Sequence, residues 1–382
     1  MLEAHKRKKL MPTRKSILCL VPLPPPITGA ALASENVVSH IAQSHEVVVL
    51  EYQRGNLISG KFSLRQVFRI LLIGCRLFLL RLLKQFDHAY LVVSSSFLGN
   101  IRDLFFMIMM GSKLRKRLTV HLHGANIDTY LQAASVWLKF LNRVLYKDVK
   151  SAIVLGETFH NIFDGYVPLD KVRIVKNYFD PHLLIPEAYL QQKYKAIEKV
   201  NFLFLSNLIK EKGYEKLLDA FLCLDGELSN KAVLCFAGAI NSPAEKESFL
   251  KKIADKPNIR YHGPVIGEEK KRLLWDSHVF CLPTFFKYEG QPISVLEAYA
   301  SGCVVLTTQN GGIRDIFVNA KNGYFINEEL EIDVVDLKKR LEYFILNMDG
   351  DKAMAEYNRE EAVQKYMRET FNREIDHIVL NS

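Results

Sequence analysis

Glu289-Gly290-Gln291-Pro292-Ile293-Ser294-Val295-Leu296-Glu297 sits between two short apolar runs, Val279–Leu282 and Cys303–Thr307. Strand, loop, helix and strand follow one another there, and that unit sets the reading of the whole chain. Pro292 suits the first turn of a helix, where its missing N–H has no partner to lose. Glu289 then lies just outside the helix, and backbone N–H groups near 290–293 stay free for an anion. Ile293, Leu296, Glu297 and Ala300 share the i, i+3, i+4, i+7 stripe that faces a core. Glu297 is thus a carboxylate where the pattern asks for an apolar side chain. A partly buried carboxylate needs hydrogen-bond donors, and a ligand's hydroxyls are one source. A helix with an acidic first turn and one satisfied core glutamate is the plainer reading, and spacing alone does not separate the two.

Outward from this unit, similar apolar runs recur, each followed by a helix-length stretch. In the first half they are Ser16–Leu23, Glu46–Tyr52, Ala89–Ser94, Leu118–His123, Ala152–Leu155 and Val172–Val175. In the second they are Asn201–Ser206, Ala232–Ala237, Ile259–His262, Val279–Leu282 and Cys303–Thr307. Near-continuous apolar strands alternating with helices indicate parallel sheets covered on both faces. Two successive sets predict an α/β protein of two doubly wound domains, with Asp180–Lys199 as linker and a helical tail from Ile332 to Val379.

A chain of 382 residues, 49% hydrophobic and 24% charged, fits two globular domains. The six cysteines are scattered without a C-x-x-C pair, which favours buried thiols in a reducing compartment over a disulfide frame or a zinc site. Met1 to Met11 is basic but lacks the apolar core of a secretory signal, so a cytoplasmic protein is expected. The net charge of +9 is uneven: residues 1–150 hold 22 Lys+Arg against 8 Asp+Glu, or +14, and the remainder is −5. A basic first half faces an anionic surface, either nucleic acid or a membrane leaflet.

The segment Phe62 to Phe86 bears on that choice. Arg65, Arg69, Arg76, Arg81 and Lys84 are set among Leu, Ile and Phe, so no run is long and clean enough to span a bilayer. A basic amphipathic helix lying in the interface of an anionic membrane is the physical alternative. Leu104–Met110, followed by Lys113, Arg115, Lys116 and Arg117, repeats the combination. Core helices with solvated arginine faces are the competing reading. No single-strand stacking platform or DNA-reading motif occurs, so no nucleic-acid partner is expected.

Ligands of open α/β sheets bind beyond the carboxyl ends of the strands. The first strand runs into Pro24-Pro25-Pro26-Ile27-Thr28-Gly29-Ala30, a small-residue turn at a helix N-terminus where a phosphate can approach the backbone. The fourth ends in His121-Leu122-His123-Gly124, with both histidines on one face and His123 nearer the carboxyl end. No third ligand stands nearby, so His123 is expected to contact a ligand rather than a metal, and His121 to be structural. In the second half a strand leads into Ser206-Asn207-Leu208-Ile209-Lys210-Glu211-Lys212-Gly213, where Lys212 can neutralise a phosphate or simply be a solvated loop lysine.

These loops, in this order, resemble the retaining glycosyltransferases of family 4, which adopt the GT-B fold. The resemblance rests on Thr28-Gly29-Ala30, His123-Gly124, Val175–Asp180, Ser206–Gly213 and the block from Glu289 to Asp315, and covers about residues 16–320. The last block is the most specific, with an E-x7-E spacing and a Gly311-Gly312 turn. The resemblance implies an acceptor-binding domain over 1–182, a donor-binding domain over 183–365, and a C-terminal helix at about 366–382 packing back on the first domain. It implies hexosyl transfer from a nucleotide sugar, UDP- or GDP-linked, with retention of configuration and without a metal or other cofactor. Glu297 would then hold the ribose hydroxyls. Gly29, Asn207, Lys212 and the segment Gly290, Gln291, Pro292, Ile293 would hold the rest of the donor, with Glu289 and His123 at the reacting sugar.

Two positions depart from the family pattern. Gly29-Ala30 stands where the family has Gly-Gly, and Ser206-Asn207-Leu208 where it has Gly-Arg-Leu, which removes a bidentate phosphate clamp. The leading expectation is a glycosyltransferase of polysaccharide, lipopolysaccharide or capsule synthesis, peripheral on the inner face of the plasma membrane and acting on a lipid-linked or cell-surface glycan. A GT-B-like nucleotide-sugar epimerase and a non-catalytic binding subunit remain as alternatives.

Overall fold

The computed structural model describes residues 14–52, 64–327 and 332–380. The basic start from Met1 to Met11 and the first two residues of the 62–86 segment lie outside them. Six parallel strands form the first sheet: β1 Ser16–Val21, β2 Glu46–Glu51, β3 His88–Val93, β4 Leu118–Leu122, β5 Ser151–Val154 and β6 Val172–Ile174, in the order β2-β1-β3-β4-β5-β6. Six more form the second: β7 Val200–Leu205, β8 Ala232–Ala237, β9 Ile259–Gly263, β10 Val279–Leu282, β11 Val304–Thr307 and β12 Gly323–Phe325, in the order β12-β11-β10-β7-β8-β9. The expected α/β architecture of two doubly wound sheets is therefore present. β12 is the strand the sequence hid, being three residues long and opening on Gly323.

Strand order reverses between β1 and β3 in the first sheet and between β7 and β10 in the second. Loops leaving strands on either side of such a reversal diverge and open a crevice. The loops after β7 and β10 carry Lys212 and Glu289, so the topology alone brings those two together.

Residues 180–199 are more than a linker. Leu183, Ile185, Leu190 and Tyr194 are buried in the second core, and Lys193 donates to the carbonyls of Ser301 and Gly302, both at 3.0 Å. The C-terminal segment crosses the other way. Phe371, Ile375, Ile378 and Val379 pack with Ile17, Cys19, Val37, Ile41, Tyr90 and Val92 of the first domain. Asn36 donates to Asn372 at 2.7 Å and His40 meets Asp376 at 2.9 Å, fixing the register of that packing.

The two greasy, basic segments have different fates. The Phe97–Arg115 helix buries Leu104, Phe106, Met107 and Met110 in the first core, and Arg115 is itself buried, bonding the Met107 carbonyl and Asp148. The apolar run Leu104–Met110 thus serves mainly as core. The Leu64–Leu83 helix packs over it as an outer layer and buries only Gly74 and Leu77. Among the described residues no helix is long and apolar enough to cross a membrane.

Because Phe371 is 2% exposed and fills the face of the first sheet, Phe371→Ala is expected to cost about 3 kcal/mol by urea unfolding. A loss below about 1 kcal/mol would mean that the returning segment does not belong to that core.

Candidate functional site

Lys212 closes a short 3-10 turn, Lys210–Lys212, before the Tyr214–Leu222 helix. Its ammonium donates to both carboxylate oxygens of Glu289, at 2.8 and 2.6 Å, and the Thr284 hydroxyl donates to Glu289 Oε2 at 2.8 Å. Glu289 is buried, so this charge-assisted set fixes its position. Two loops of the second sheet, those after β7 and β10, thus converge on one carboxylate.

The Ile293–Ala300 helix begins one residue later than the sequence suggested, with Pro292 as its N-cap. From Val295 to Ala300 every residue is buried, so the helix has no solvent stripe and Glu297 lies inside it, 4% exposed. Its carboxylate accepts from Lys270 Nζ at 2.6 Å, reaching over from the Gly267–Asp276 helix. Burial pushes the Glu297 pKa up, and Lys270 pulls it back. Lys270 is the residue the sequence did not reveal. It stands in Glu268-Glu269-Lys270-Lys271, which reads as a solvated charged face, and only the packing of two helices turns it inward.

The opposite wall comes from the first sheet. His123, just past β4, stacks on His121 with ring centres 3.9 Å apart. His121 Nδ1 meets the Tyr90 hydroxyl at 2.6 Å, while neither ring nitrogen of His123 has a partner among the described residues. Burial pushes His123 down to about 3, so at neutral pH its ring is uncharged, with one nitrogen to donate and one to accept. His121 is lowered as well, by burial first and by His123 second. Gly29 opens the Gly29–Ala42 helix, whose N-cap Thr28 accepts from the Ala31 N–H at 3.2 Å. A Cβ on Gly29 would lie 3.8 Å from Ile293 Cδ1, so helix N-termini from both domains meet at the cleft.

Gln291 ties the two walls together. Its side-chain oxygen accepts from the Asn177 N–H at 2.6 Å, its amide donates to the Leu155 carbonyl at 3.1 Å, and its own carbonyl accepts from the Asn177 side chain at 2.8 Å. The Gln291 side chain is consumed by this clamp, so of this residue only the backbone N–H, the group the sequence reading pointed to, can serve a donor. Gly290 beside it has no room for a side chain, since a Cβ there would collide with the His123 carbonyl oxygen. Gly312 N–H donates to the Gly290 carbonyl at 3.1 Å, Ala125 N–H to that of Tyr288 at 3.4 Å, and Thr158 Oγ1 to Asp315 at 2.8 Å. Asn207 is half-buried in the loop after β7, its carbonyl accepting from the Ile209 N–H at 2.9 Å.

The proposed membrane cations are dispersed. Arg65 and Arg76 are exposed on the outer helix, but Arg69 donates to the Glu51 carbonyl at 3.2 Å and Lys84 pairs with Glu46. Arg81 is half-buried against Gly111. A surface the sequence reading missed is the Val136–Lys147 helix, which exposes Trp137 (82%) and Phe140 beside Lys139, Arg143 and Lys147.

Residues 187–361 match the family model described as glycosyl transferases group 1. The match spans the second sheet and the helices around it, a little under half of the chain. Among solved structures it superposes on Anabaena Alr3699/HepE in complex with UDP and glucose, at a TM-score of 0.69 and 14% identity, over 97% of this chain and 100% of that one. The fold is GT-B. Among curated proteins it is similar to an "Uncharacterized 41.2 kDa protein in cps region" of Klebsiella pneumoniae, 23% identical over 64% of this chain and 66% of that protein. It is also similar to the "Putative colanic acid biosynthesis glycosyltransferase WcaL" of Salmonella typhimurium, 30% identical over 28% of this chain and 27% of that protein. The chain thus aligns with less than two thirds of the length of each of these two relatives.

Lys270→Met is expected to strand the Glu297 carboxylate and cost on the order of 3 kcal/mol at pH 7. An acid with a raised folded pKa binds its proton more readily when folded, so the cost should shrink as pH falls through the carboxylate range. Urea unfolding from pH 7 downwards measures this. A loss that stays constant with pH, or that Glu297→Gln in the same chain fails to relieve, would rule out the pairing.

Proposed function

We propose that this chain is a glycosyltransferase that moves a hexose from a nucleotide sugar to a lipid-linked or cell-surface glycan, with retention of configuration. One observation carries the reading: two buried carboxylates, each held by a lysine, flank a helix N-terminus that faces a neutral, unpartnered histidine across a domain cleft. A departing nucleoside diphosphate gathers negative charge. Lys212 and the N–H groups at the start of the Ile293–Ala300 helix stabilise it without reorganising.

Glu297 serves the ribose hydroxyls, sharing Lys270 with them. Glu289, held by Lys212 and Thr284, contacts the donor sugar. His123 donates to one sugar hydroxyl and accepts from another. HepE, solved in complex with UDP and glucose, supports a UDP-sugar, and the cps-region and colanic acid names support a polysaccharide product. Exposed apolar helices in the basic first domain support work at the inner face of the plasma membrane, on an acceptor anchored there.

A thermal-shift panel of UDP, GDP, ADP and their sugars should single out one nucleotide, because ligand binding to the folded state alone raises the melting temperature. With that donor and lipid-linked acceptors, transfer should follow, and proton NMR of the product should show the donor's anomeric configuration. Conversion of donor without any acceptor would instead indicate an epimerase. Glu297→Ala should weaken nucleotide binding about tenfold, a loss of about 1.4 kcal/mol. Glu289→Ala should lower kcat about 100-fold with little change in nucleotide affinity. Wild-type kinetics from both would sink the assignment.

A further inference from the structure

The last turn of the outer Leu64–Leu83 helix and the end of the Phe97–Arg115 helix border a cavity of about 230 Å3 that is open to solvent on one side. Its charged lining consists of Arg81, Lys84, Lys113 and Arg117, and no carboxylate lines it. The cavity exists because the inner helix kinks. Gly111 sits at φ +69°, a conformation that disfavours any side chain, and a Cβ there would collide with the Arg81 guanidinium. The kink thus seats a cation.

Arg117 is fixed by donating to the Phe86 carbonyl at 2.8 Å, and Lys84 by its pair with Glu46. Arg81 and Lys113 have no acidic partner among the described residues, and Arg81 Nε is buried without a hydrogen bond. Four cations around one small cavity call for an anion. The volume lies below the roughly 300–1,000 Å3 of sites for larger organic ligands, so it suits a phosphate-sized group.

The rim says which phosphate. Leu79, Leu82 and Leu83 beside the cavity are exposed, Leu83 by 83%, and the same helix exposes Val67, Phe68, Leu71 and Leu72. The Val136–Lys147 helix packs on the same inner helix and exposes Trp137, Phe140 and Val144 among basic residues. A freely soluble phosphate gains nothing from such a rim, and neither does nucleic acid. A phospholipid places its phosphate where polar and apolar layers meet, and tryptophan is enriched at that depth.

We propose that this pocket binds the phosphate of an anionic phospholipid headgroup while the exposed face of the outer helix enters the adjoining acyl layer. The proposal rests on the membrane-surface reading of the function and adds a specific headgroup site to it. Arg81 and Lys113 are the ligating cations, and Lys84 and Arg117 supply fixed positive charge. The Trp137 helix is a second apolar contact that sets the domain's orientation.

The test is vesicle co-sedimentation of the full chain with phosphatidylcholine alone and with added phosphatidylglycerol. Arg81→Gln with Lys113→Glu should lower partitioning to phosphatidylglycerol vesicles tenfold or more and leave the weak binding to phosphatidylcholine unchanged. Leu79→Ser with Leu82→Ser and Leu83→Ser should lower both. Lys113→Glu alone, at an exposed position that spares the fold, should give a partial loss of the same kind. If the wild type binds anionic vesicles and the Arg81 and Lys113 variants bind equally well, the pocket assignment falls and the membrane reading stands. If the wild type binds no anionic vesicle, both fall. A melting-temperature rise with inorganic phosphate alone, abolished by Arg81→Gln, together with vesicle binding that ignores these residues, would overturn the lipid assignment in favour of a free-phosphate site.

Discussion

The close approach of two backbones at the cleft governs the rest of this structure. Gly290 lies against the carbonyl of His123, and Gln291 next to it spends every polar atom of its side chain on Asn177 and Leu155. A side chain at position 290 would push the sheets apart, and loss of the glutamine would leave buried backbone groups of the first domain unpaired. That one contact sets how far the Ile293–Ala300 helix N-terminus stands from His123. The separation of the domains and the geometry of the candidate site are therefore the same quantity.

Charge is organised around that contact in two layers. Inside the cleft, Lys212 with Glu289 and Lys270 with Glu297 are buried ion pairs, which contribute little net stability but fix the carboxylates in place. Each lysine is also a cation that an anionic ligand can share. Outside, the positive charge of the first domain gathers on the outer helices rather than at the cleft. The arginines of the Leu64–Leu83 helix are sorted by neighbours: Arg69 reaches Glu51, Arg81 turns under the kink at Gly111, and Arg65 and Arg76 stay in solvent. A uniform basic helix in sequence becomes three different kinds of site in space.

Where sequence reasoning failed, a layer of packing had intervened. Leu104–Met110 and the 62–86 segment look alike as strings of grease and charge, yet one is core and the other surface. The difference is that the second lies over the first, so the inner helix is covered on both sides. Lys270 was hidden because a lysine in a charged run reads as solvated until another helix buries a carboxylate opposite it. The Gln291 clamp was hidden because the direction of that side chain depends on the other domain. β12 was lost to its brevity.

What the sequence determined alone was everything local or periodic: apolar runs of strand length, helices between them, two sets of each, and glycines, lysines and glutamates at strand ends. Period and composition act over a few residues, so one chain suffices to read them. Glu297 was visible in that way, as a carboxylate on a stripe that should have been apolar. What only the tertiary structure decided was pairing: which lysine meets which glutamate, which histidine nitrogen is left without a partner, and which greasy helix faces out. Those outcomes depend on residues far apart in the chain brought within 3 Å of one another, as Lys270 and Glu297 are at 2.6 Å, and no spacing along the chain encodes that distance.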